Sequence, residues 1–246
     1  MSSSQFKTRL RDIQRFYELL DALEVCVGGK RTLESADGRM NWPRQGVYFF
    51  FELGEERVTS GAGPRVVRVG THAPRAGGTT TLWGRLRQHR GTLRGSNPGG
   101  GKHRSSIFRK HIGAALIHRD RWPKSIAGYW GVGSDAEKPI LEREYPLEQA
   151  VSQHIRSMPF LWMRVNDELG FTNLRVYIER NTIALLSNYN SQDTPIDPPS
   201  ATWLGHWAAS EKIRHSGLWN ANHVQDDYDP GLLDTLQELA AQEKGP

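Results

Sequence analysis

Apolar residues recur at helical spacing in several stretches of the chain. Over residues 6–27 an apolar side chain follows every three or four positions, which predicts an amphipathic helix, and Gly28-Gly29 is a typical end for one. Its apolar positions are Leu10, Ile13, Phe16, Tyr17, Leu20 and Leu23. Similar spacing predicts further helices over 82–90, 105–118, 141–155 and 173–187, and a last one after Asp229-Pro230. The expected capping residues are Thr80 or Thr81 and Thr172 or Asn173.

Shorter apolar runs are typical of β-strands. Two of them, 46–53 (GVYFFFEL) and 65–70 (RVVRVG), are rich in aromatic and β-branched residues. The glycine-containing segment between them is too long for a two-residue hairpin turn. Residues 127–132 and 158–165 are the other strand candidates, and residues 74–81 (PRAGGTTT) are expected to form a loop.

The order of these elements indicates an α/β (α+β) fold in three segments. Residues 1–45 are expected to form an N-terminal helical segment, 46–194 a core with a basic loop insertion, and 195–246 a C-terminal extension. The extension begins with a proline-rich connection and continues with tryptophan-containing stretches around 203–215 and 218–224. We expect its aromatic and helical parts to pack on the core.

Composition excludes several classes of protein. Apolar residues make up 37% of the 246 residues, which is enough for a core, and no apolar run approaches the roughly 18 residues that span a bilayer. The N-terminus has no apolar stretch of the signal-peptide type. The single Cys26 excludes an intrachain disulfide and a cysteine-rich zinc site. We therefore expect a cytoplasmic protein with no membrane partner.

Basic residues are concentrated in one part of the chain. The net charge is +5, but residues 65–124 contain fourteen Lys and Arg against a single acid, Asp120. Such polarisation predicts a basic face for a polyanion; a solvated basic surface without a ligand is the alternative. The stretch includes a Gly-, Ser- and Arg-rich loop at 91–106. Its Gly101-Lys102 does not complete a phosphate-binding loop, because Ser96 stands where the first glycine would be and His103, not Ser or Thr, follows Lys102.

Five short segments, in a particular order, resemble a known family. They are Gly46-Val47-Tyr48, Arg68-Val69-Gly70, Arg85, His89 and Tyr177-Ile178-Glu179-Arg180-Asn181. Their order and spacing resemble the GIY-YIG nuclease family, and the helix with Arg85 and His89 is most similar to its restriction-endonuclease branch. The resemblance implies a small antiparallel three-stranded sheet flanked by helices. One position departs from the family pattern, because Arg68 stands where the family has its second tyrosine.

The resemblance implies a role for each of these residues. Tyr48 would be the general base or would orient the attacking water, and Arg85 would clamp the scissile phosphate with its planar donor fork. His89, on the same helical face as Arg85, would bind a phosphate oxygen or assist proton transfer. Glu179 would be the sole protein ligand of a divalent cation, Mg²⁺ or Mn²⁺.

Each of these residues also has an ordinary structural alternative. Tyr48 could be a core tyrosine of its strand, and the helix at 82–90 could be a basic surface helix. Glu179 could pair with Arg175 or Arg180, as most helical glutamates pair with a neighbouring cation. The match of the surrounding segments favours the catalytic interpretation.

Further residues complete the expected site. The family often places an asparagine after the glutamate, and Asn188 is the choice here, although a straight helix would favour Asn190. His72 follows the second strand and could replace the missing tyrosine as a base. The expected nucleic-acid-binding residues are Arg68, Arg87, Arg90, Lys102, His103, Arg104, Arg109 and Lys110.

These features predict a metal-dependent endonuclease that hydrolyses DNA, with a role in restriction or another defence against foreign DNA. Duplex DNA is the expected partner, bound through its phosphates, and cutting both strands would require a homodimer or two successive nicks. The alternative is a non-catalytic nucleic-acid-binding module in which Arg68 marks a decayed site. A third alternative is a protein-interaction factor that docks through the aromatic extension.

Overall fold

The computed structural model describes residues 2–72, 80–166, 174–191 and 194–242. Most of the loop predicted over 74–81, and the predicted caps Thr172 and Asn173, lie outside these residues. Thr81 caps the helix that follows it, as predicted, because its side chain accepts a hydrogen bond of 3.0 Å from the Gly84 amide.

The described residues form four strands and eight α-helices. The strands are β1 (Arg31–Thr32), β2 (Gly46–Glu56), β3 (Pro64–Thr71) and β4 (Pro159–Arg164). The helices are α1 (Ser3–Val27), α2 (Leu82–Arg90), α3 (Ile107–Asp120), α4 (Lys124–Ala127), α5 (Lys138–Ser157), α6 (Leu174–Leu186), α7 (Glu211–Ser216) and α8 (Leu232–Gln242). Short 3₁₀ turns occur at His103–Ser105, Tyr189–Ser191 and Leu204–Trp207.

The sheet is antiparallel, as predicted, but it has four strands in the order β1-β4-β2-β3 instead of three. The additional strand, β1, is a two-residue edge in which Arg31 pairs with Phe160. So short a strand has no alternation of apolar and polar residues that the sequence could show. In the β2–β3 pair, Tyr48 lies opposite Gly70 and Phe50 opposite Arg68.

Residues 127–132 were expected to form a strand, and this expectation is wrong. Helix α4 ends at Ala127, and the chain then turns through Gly131, whose φ of 79° suits glycine. Trp130 fills the space beside Gly113, where a Cβ would lie 2.1 Å from the indole ring. By contrast, α5 continues through Pro146, as expected.

Helices cover both faces of the sheet and make two separate core clusters. On one face, Val47, Phe49 and Phe51 of β2 pack with apolar residues of α1, α6 and α8. On the other face, Tyr48 and Phe50 pack with residues of α2, α3 and α5. Alternate residues of a strand point to opposite faces. The run of aromatic residues in β2 therefore serves both clusters, and Tyr48 faces the helix that carries Arg85.

The C-terminal segment, by which we mean residues 195–231 before α8, runs beside the free edge of β3. The Trp219 amide donates a hydrogen bond of 2.7 Å to the Val67 carbonyl. The Asn220 side chain bonds to both backbone groups of Val69, at 3.1 and 2.9 Å. Trp203 and Trp219 are buried, and their indole N–H groups both donate to Glu52. The segment therefore covers the edge of β3, the strand that carries Arg68.

Helix α1 ends at Gly28, in the left-handed conformation that favours glycine, as the sequence predicts. Of the helices in the described ranges, not one combines the length and the apolar character needed to span a membrane.

Candidate active site

A cleft of about 730 Å³ lies where β3, α2, α3, α6 and the C-terminal segment meet. Four of the residues singled out from the sequence line it: Arg68, His72, Arg85 and Glu179. Other polar lining residues were not singled out from the sequence as site residues: Gln88, His111, Asn220, Asn222 and His223. The fold thus brings together residues that are far apart in the sequence.

Glu179 lies on α6 at the edge of an apolar stripe and is half-buried in the cleft. Burial raises the pKa of its carboxyl group, and this effect is opposed by Arg68, His223, Arg85 and a hydrogen bond from the Thr71 backbone. Protein cations therefore compensate only in part for the burial of this negative charge. An additional positive ion would stabilise the ionised carboxylate.

The alternative in which Glu179 pairs with a neighbour on its own helix is not what the described contacts show. Arg175 donates to the His72 carbonyl, at 2.6 Å, and Arg180 donates to Asp226, at 2.9 Å. Glu179 is therefore left facing the cleft without an ion pair among the described residues.

The described residues of the cleft fit a Mg²⁺ ion. Among the described residues there is no group of three or more His, Cys, Asp or Glu side chains that could hold a metal. Mg²⁺ is typically bound by one or two carboxylates together with water and substrate phosphates. A lone Glu179 in an open cleft meets that requirement, and it would be the residue that holds the cation.

Arg68 occupies the position of the missing tyrosine and lines the cleft as a buried cation. Its Nη1 donates to the Trp219 carbonyl at 2.8 Å, and its guanidinium carbon lies 4.6 Å from the centre of the Phe108 ring. Its Nε has no hydrogen-bond partner within the described ranges. Burial, together with the nearby Arg85, lowers its pKa. A buried guanidinium that lines the cleft places a fixed positive charge beside it.

Arg85 is the more exposed cation of the cleft. It lies on α2, is half-buried, and donates from Nη1 to Gln88 at 2.9 Å and to the Ser105 carbonyl at 3.2 Å. Arg85 and Arg68 therefore present two positive groups to the same space as Glu179. A phosphate that entered the cleft would have cations on more than one side.

Tyr48 and His89 contact each other but do not line the cleft. Both are 0% exposed, and the Tyr48 hydroxyl lies 2.8 Å from His89 Nε2. His89 Nδ1 is in turn 2.8 Å from the Ser106 hydroxyl. Both ring nitrogens of His89 are therefore engaged inside the protein, and its expected role as a phosphate ligand stays a prediction that this placement does not support. In this structure Tyr48 likewise has no exposed surface on which to bind water.

The environment of His89 also keeps its ring neutral. Burial lowers its pKa well below the usual value, and Arg85, Arg68 and Arg109 act in the same direction. Gly70 makes the arrangement possible, since a Cβ there would lie 2.3 Å from the Tyr48 hydroxyl oxygen. The glycine of the second motif is therefore needed for packing against the tyrosine of the first.

Two further histidines line the cleft, one expected and one not. His72 is buried, and its Nε2 lies 3.3 Å from Arg175 Nη1. His111, on α3, was not singled out as a site residue. Burial, with smaller effects of Arg68 and Lys110, lowers its pKa to about 4. No motif marks His111 in the sequence, because its contribution depends on how α3 packs against β3.

Asn188 does not line the cleft, and its expected place in the site stays a prediction that this position does not support. Its side chain exchanges two hydrogen bonds with the backbone of Ile196, at 2.9 and 3.0 Å, and accepts a third from Arg9 at 3.3 Å. Its role is to hold the segment after α6. Asn190 is also engaged elsewhere, with the Gln225 carbonyl at 3.0 Å. Asn222, on the C-terminal segment, is the exposed asparagine that lines the cleft.

Three of the residues expected to bind nucleic acid are buried in ion pairs. Arg104 pairs with Glu144 at 2.6 and 2.8 Å, and both side chains are 2% exposed. Arg109 and His103 both bond to Glu148, and each is 0–1% exposed. These side chains join the basic loop and α3 to α5. They are thereby removed from the surface on which the sequence placed them.

Other basic residues line a groove of about 950 Å³ next to the cleft. The groove and the cleft share Gln88. Basic residues of the groove are Arg39, Arg87, Arg90, Arg94 and Lys102, against one acid, Asp37. Of the other expected residues, Arg68 lines the cleft, and Lys110 donates to the Gly131 carbonyl at 3.1 Å without lining either depression. We call this surface the basic groove.

Comparison with known proteins identifies the same family that the motif residues indicate. A family model described as the GIY-YIG domain matches residues 7–245, which is nearly the whole chain. No curated protein and no solved structure gives a significant match. The match includes both strand motifs, the α2 helix and the helix of Glu179. The chain therefore belongs to the GIY-YIG domain family.

Proposed function

We propose that this protein is a metal-dependent endonuclease that hydrolyses phosphodiester bonds of DNA in the cleft around Glu179. The observation that supports this most strongly is the meeting of one partly compensated carboxylate with two arginines in a single cleft. Phosphodiester hydrolysis needs charge stabilisation around the phosphorus as the attacking oxygen approaches and the leaving oxygen departs. The family membership supports the same reaction.

The two arginines would bind the scissile phosphate from different depths. Arg85 is half-buried and can adjust to an incoming strand, whereas Arg68 is held between the Trp219 carbonyl and the Phe108 ring. A fixed, desolvated cation stabilises developing negative charge more strongly than one surrounded by water. Arg68 would therefore act mainly on the transition state, and Arg85 on the positioning of the phosphate.

Glu179 would hold the divalent cation, Mg²⁺ or Mn²⁺. When bound, the cation supplies Lewis-acid stabilisation of a phosphate oxygen. The chain's own contribution is a carboxylate that burial makes unfavourable as an uncompensated charge. Gln88, Asn222 and the arginines line the same cleft and would surround the substrate phosphate.

The basic groove would bind the strand that continues from the scissile phosphate. Its five basic side chains lie beside the cleft and match the repeating charge of a nucleic-acid backbone. Duplex DNA is the substrate that we propose, with a role in restriction or another defence. That role rests on the similarity of the Arg85–His89 helix to the restriction branch. Cleavage of both strands would require a homodimer or successive nicks.

A second candidate function is nucleic-acid binding without catalysis. One observation favours it: Tyr48 is fully buried, and the second family tyrosine is replaced by Arg68. In that case the cleft would bind a phosphate through its arginines but would lack the group that activates water.

Plasmid nicking distinguishes the two candidates. We would compare the wild type with Glu179→Gln, which keeps the size of the side chain but removes its charge, in Mg²⁺ and in Mn²⁺. Glu142→Gln is the matched control, because Glu142 is exposed on α5 and outside the cleft. We expect the wild type and the control to nick the plasmid. Glu179→Gln should bind it and cut at least about a hundredfold slower.

Equal nicking by Glu179→Gln and the wild type would show that the cleft is not the active site. Salt-sensitive binding by all three proteins, with no nicking by any, would support the non-catalytic module instead.

A further inference from the structure

A histidine–carboxylate pair on the C-terminal segment faces the same cleft as Glu179. His223 lines the cleft, and its Nδ1 lies 3.0 Å from Asp226 Oδ2. The same carboxylate oxygen accepts a hydrogen bond of 2.9 Å from Nε of Arg180, the residue next to Glu179. The pair is therefore tied to the helix that carries the proposed metal ligand.

The carboxylate determines which nitrogen of His223 can act as a base. Because Asp226 is an acceptor, Nδ1 carries the hydrogen, and the lone pair of the neutral ring lies on Nε2. Within the described part of the chain, Nε2 has no hydrogen-bond partner, and the side chain is 38% exposed. His223 thus offers the cleft a lone pair that the rest of the protein does not use.

The backbone around His223 is held in an uncommon conformation. Its φ of 64° lies in the left-handed region, which non-glycine residues seldom adopt. Hydrogen bonds from residues of β3 and α6 and from the turn after α6 fix the segment on both sides of it. They join Asn220 to Val69, Ser187 to Val224, Asn190 to Gln225 and Asn181 to Asp229. Such a conformation persists only where its surroundings enforce it, as at functional sites.

The cleft also lacks a base from the two tyrosine positions of the family. Tyr48 is fully buried, and Arg68 stands in the other position. Of the other histidines in the cleft, His111 has a pKa lowered to about 4 and is a weak base, and His72 lies against Arg175. The charged groups that share the cleft with His223 are Glu179, Arg68 and Arg85.

We infer that His223 is the general base of the hydrolysis, oriented by Asp226. This inference rests on the proposed nuclease function. Nε2 takes a proton from a water molecule while the water oxygen forms a bond to phosphorus. The bond between phosphorus and the leaving oxygen breaks, and its electron pair stays on that oxygen, which takes a proton from solvent. The imidazolium then returns its proton to solvent, so that the net reaction consumes one water.

The test is the pH dependence of single-turnover DNA cleavage in Mg²⁺ by the wild type, His223→Gln and Asp226→Asn. The matched control is His215→Gln, because His215 pairs with Glu211 at 3.6 Å on α7, outside the cleft. DNA affinity and the melting temperature are measured for every variant. A merely structural role would change these two quantities, or the rate at all pH values alike.

We expect the wild-type rate to rise with pH and then to level off, as it does when a general base takes part in the rate-limiting step. His223→Gln should cut at least about a hundredfold slower, with its DNA affinity unchanged. Its cleavage rate should no longer level off at high pH. Asp226→Asn should cut more slowly than the wild type, because the imidazolium formed in the reaction loses its neighbouring carboxylate. The control should behave as the wild type.

A second variant guards against misfolding. His223→Gly suits the left-handed backbone, so we expect it to fold at least as stably as the wild type, and added imidazole should restore part of its cleavage rate. The inference is overturned if His223→Gln cuts at the wild-type rate, or if it cuts more slowly but its rate still levels off at high pH. It is also overturned if added imidazole does not restore cleavage by His223→Gly. A loss that higher Mg²⁺ reverses would make His223 a metal ligand and would also overturn it.

Failure of the proposed function would look different. If the wild type does not cut DNA at all, both the proposed nuclease function and the role of His223 as its base are wrong. If the wild type cuts, Glu179→Gln does not, and His223→Gln cuts normally, then only the role of His223 is wrong.

Discussion

The two sides of Arg68 are built in opposite ways. On one side, Tyr48, His89 and Ser106 form a closed chain of hydrogen bonds with no exposed surface on the tyrosine or the histidine. On the other side, Glu179 lines an open cleft together with residues from five elements. Both sides contain residues of the family motifs. A motif residue can therefore lie in the interior or line a cleft, and the sequence alone does not tell which.

The closed side follows from the position of β2 in the sheet. β2 lies between β3 and β4, helices cover both of its faces, and the glycine opposite Tyr48 lets the ring pack flat against β3. The open side exists because the C-terminal segment extends the edge of β3 and then turns away along α6. Arg68 connects the two sides, since it lies next to Tyr48 and also lines the cleft.

Replacing the connecting residue should have the largest effect of the three changes that test this comparison. We expect Arg68→Met to cut DNA about a hundredfold to a thousandfold slower, because a fixed cation that stabilises the transition state is lost. The side chain remains long and apolar enough to pack on Phe108. Single-turnover cleavage and melting temperature should be measured together. A normal rate in a folded variant would show that Arg68 is structural only.

Removing the Tyr48 hydroxyl should affect stability more than catalysis. In Tyr48→Phe the His89 ring loses its partner at Nε2, and an unsatisfied buried polar group costs about 1–3 kcal/mol of unfolding free energy. We expect the cleavage rate to fall less than about tenfold. Denaturant unfolding and the cleavage assay would check this. A loss of cleavage like that of Glu179→Gln, in a stable protein, would show that the closed side opens to the substrate.

The smallest effect should come from single cations of the basic groove. We expect Arg87→Gln to weaken DNA binding several-fold and to lower the slope of log affinity against log salt by about one. Arg11→Gln, an exposed position on α1 away from the groove, should leave both unchanged. Fluorescence anisotropy over a salt series would measure them. Equal effects of the two variants would indicate that the groove does not bind the backbone.

The sequence predicts the parts of the fold that depend on local patterns. The helix that ends at Gly28, the aromatic strand at 46 and the helix capped by Thr81 all follow from spacing and capping. The two-residue strand β1 and the turn at Gly131 do not, because the first is too short for a pattern and the second depends on the fit of Trp130 against Gly113.

The candidate site is less predictable from sequence, for a physical reason. Arg85 and Glu179 are found because the family motif marks them. The buried pairs of Arg104 and Arg109 are missed because their acids, Glu144 and Glu148, lie some forty residues away on α5. His223 is missed for the same kind of reason, since only the path of the C-terminal segment brings it to the cleft.

The most direct test of the account is the dependence of single-turnover DNA cleavage on Mg²⁺ concentration, for the wild type and Glu179→Gln with DNA binding held saturating. If Glu179 holds the cation, the wild-type rate should saturate with Mg²⁺. The variant should remain far slower at every concentration or need much more Mg²⁺. Superimposable curves would contradict the assignment of the active site to this cleft.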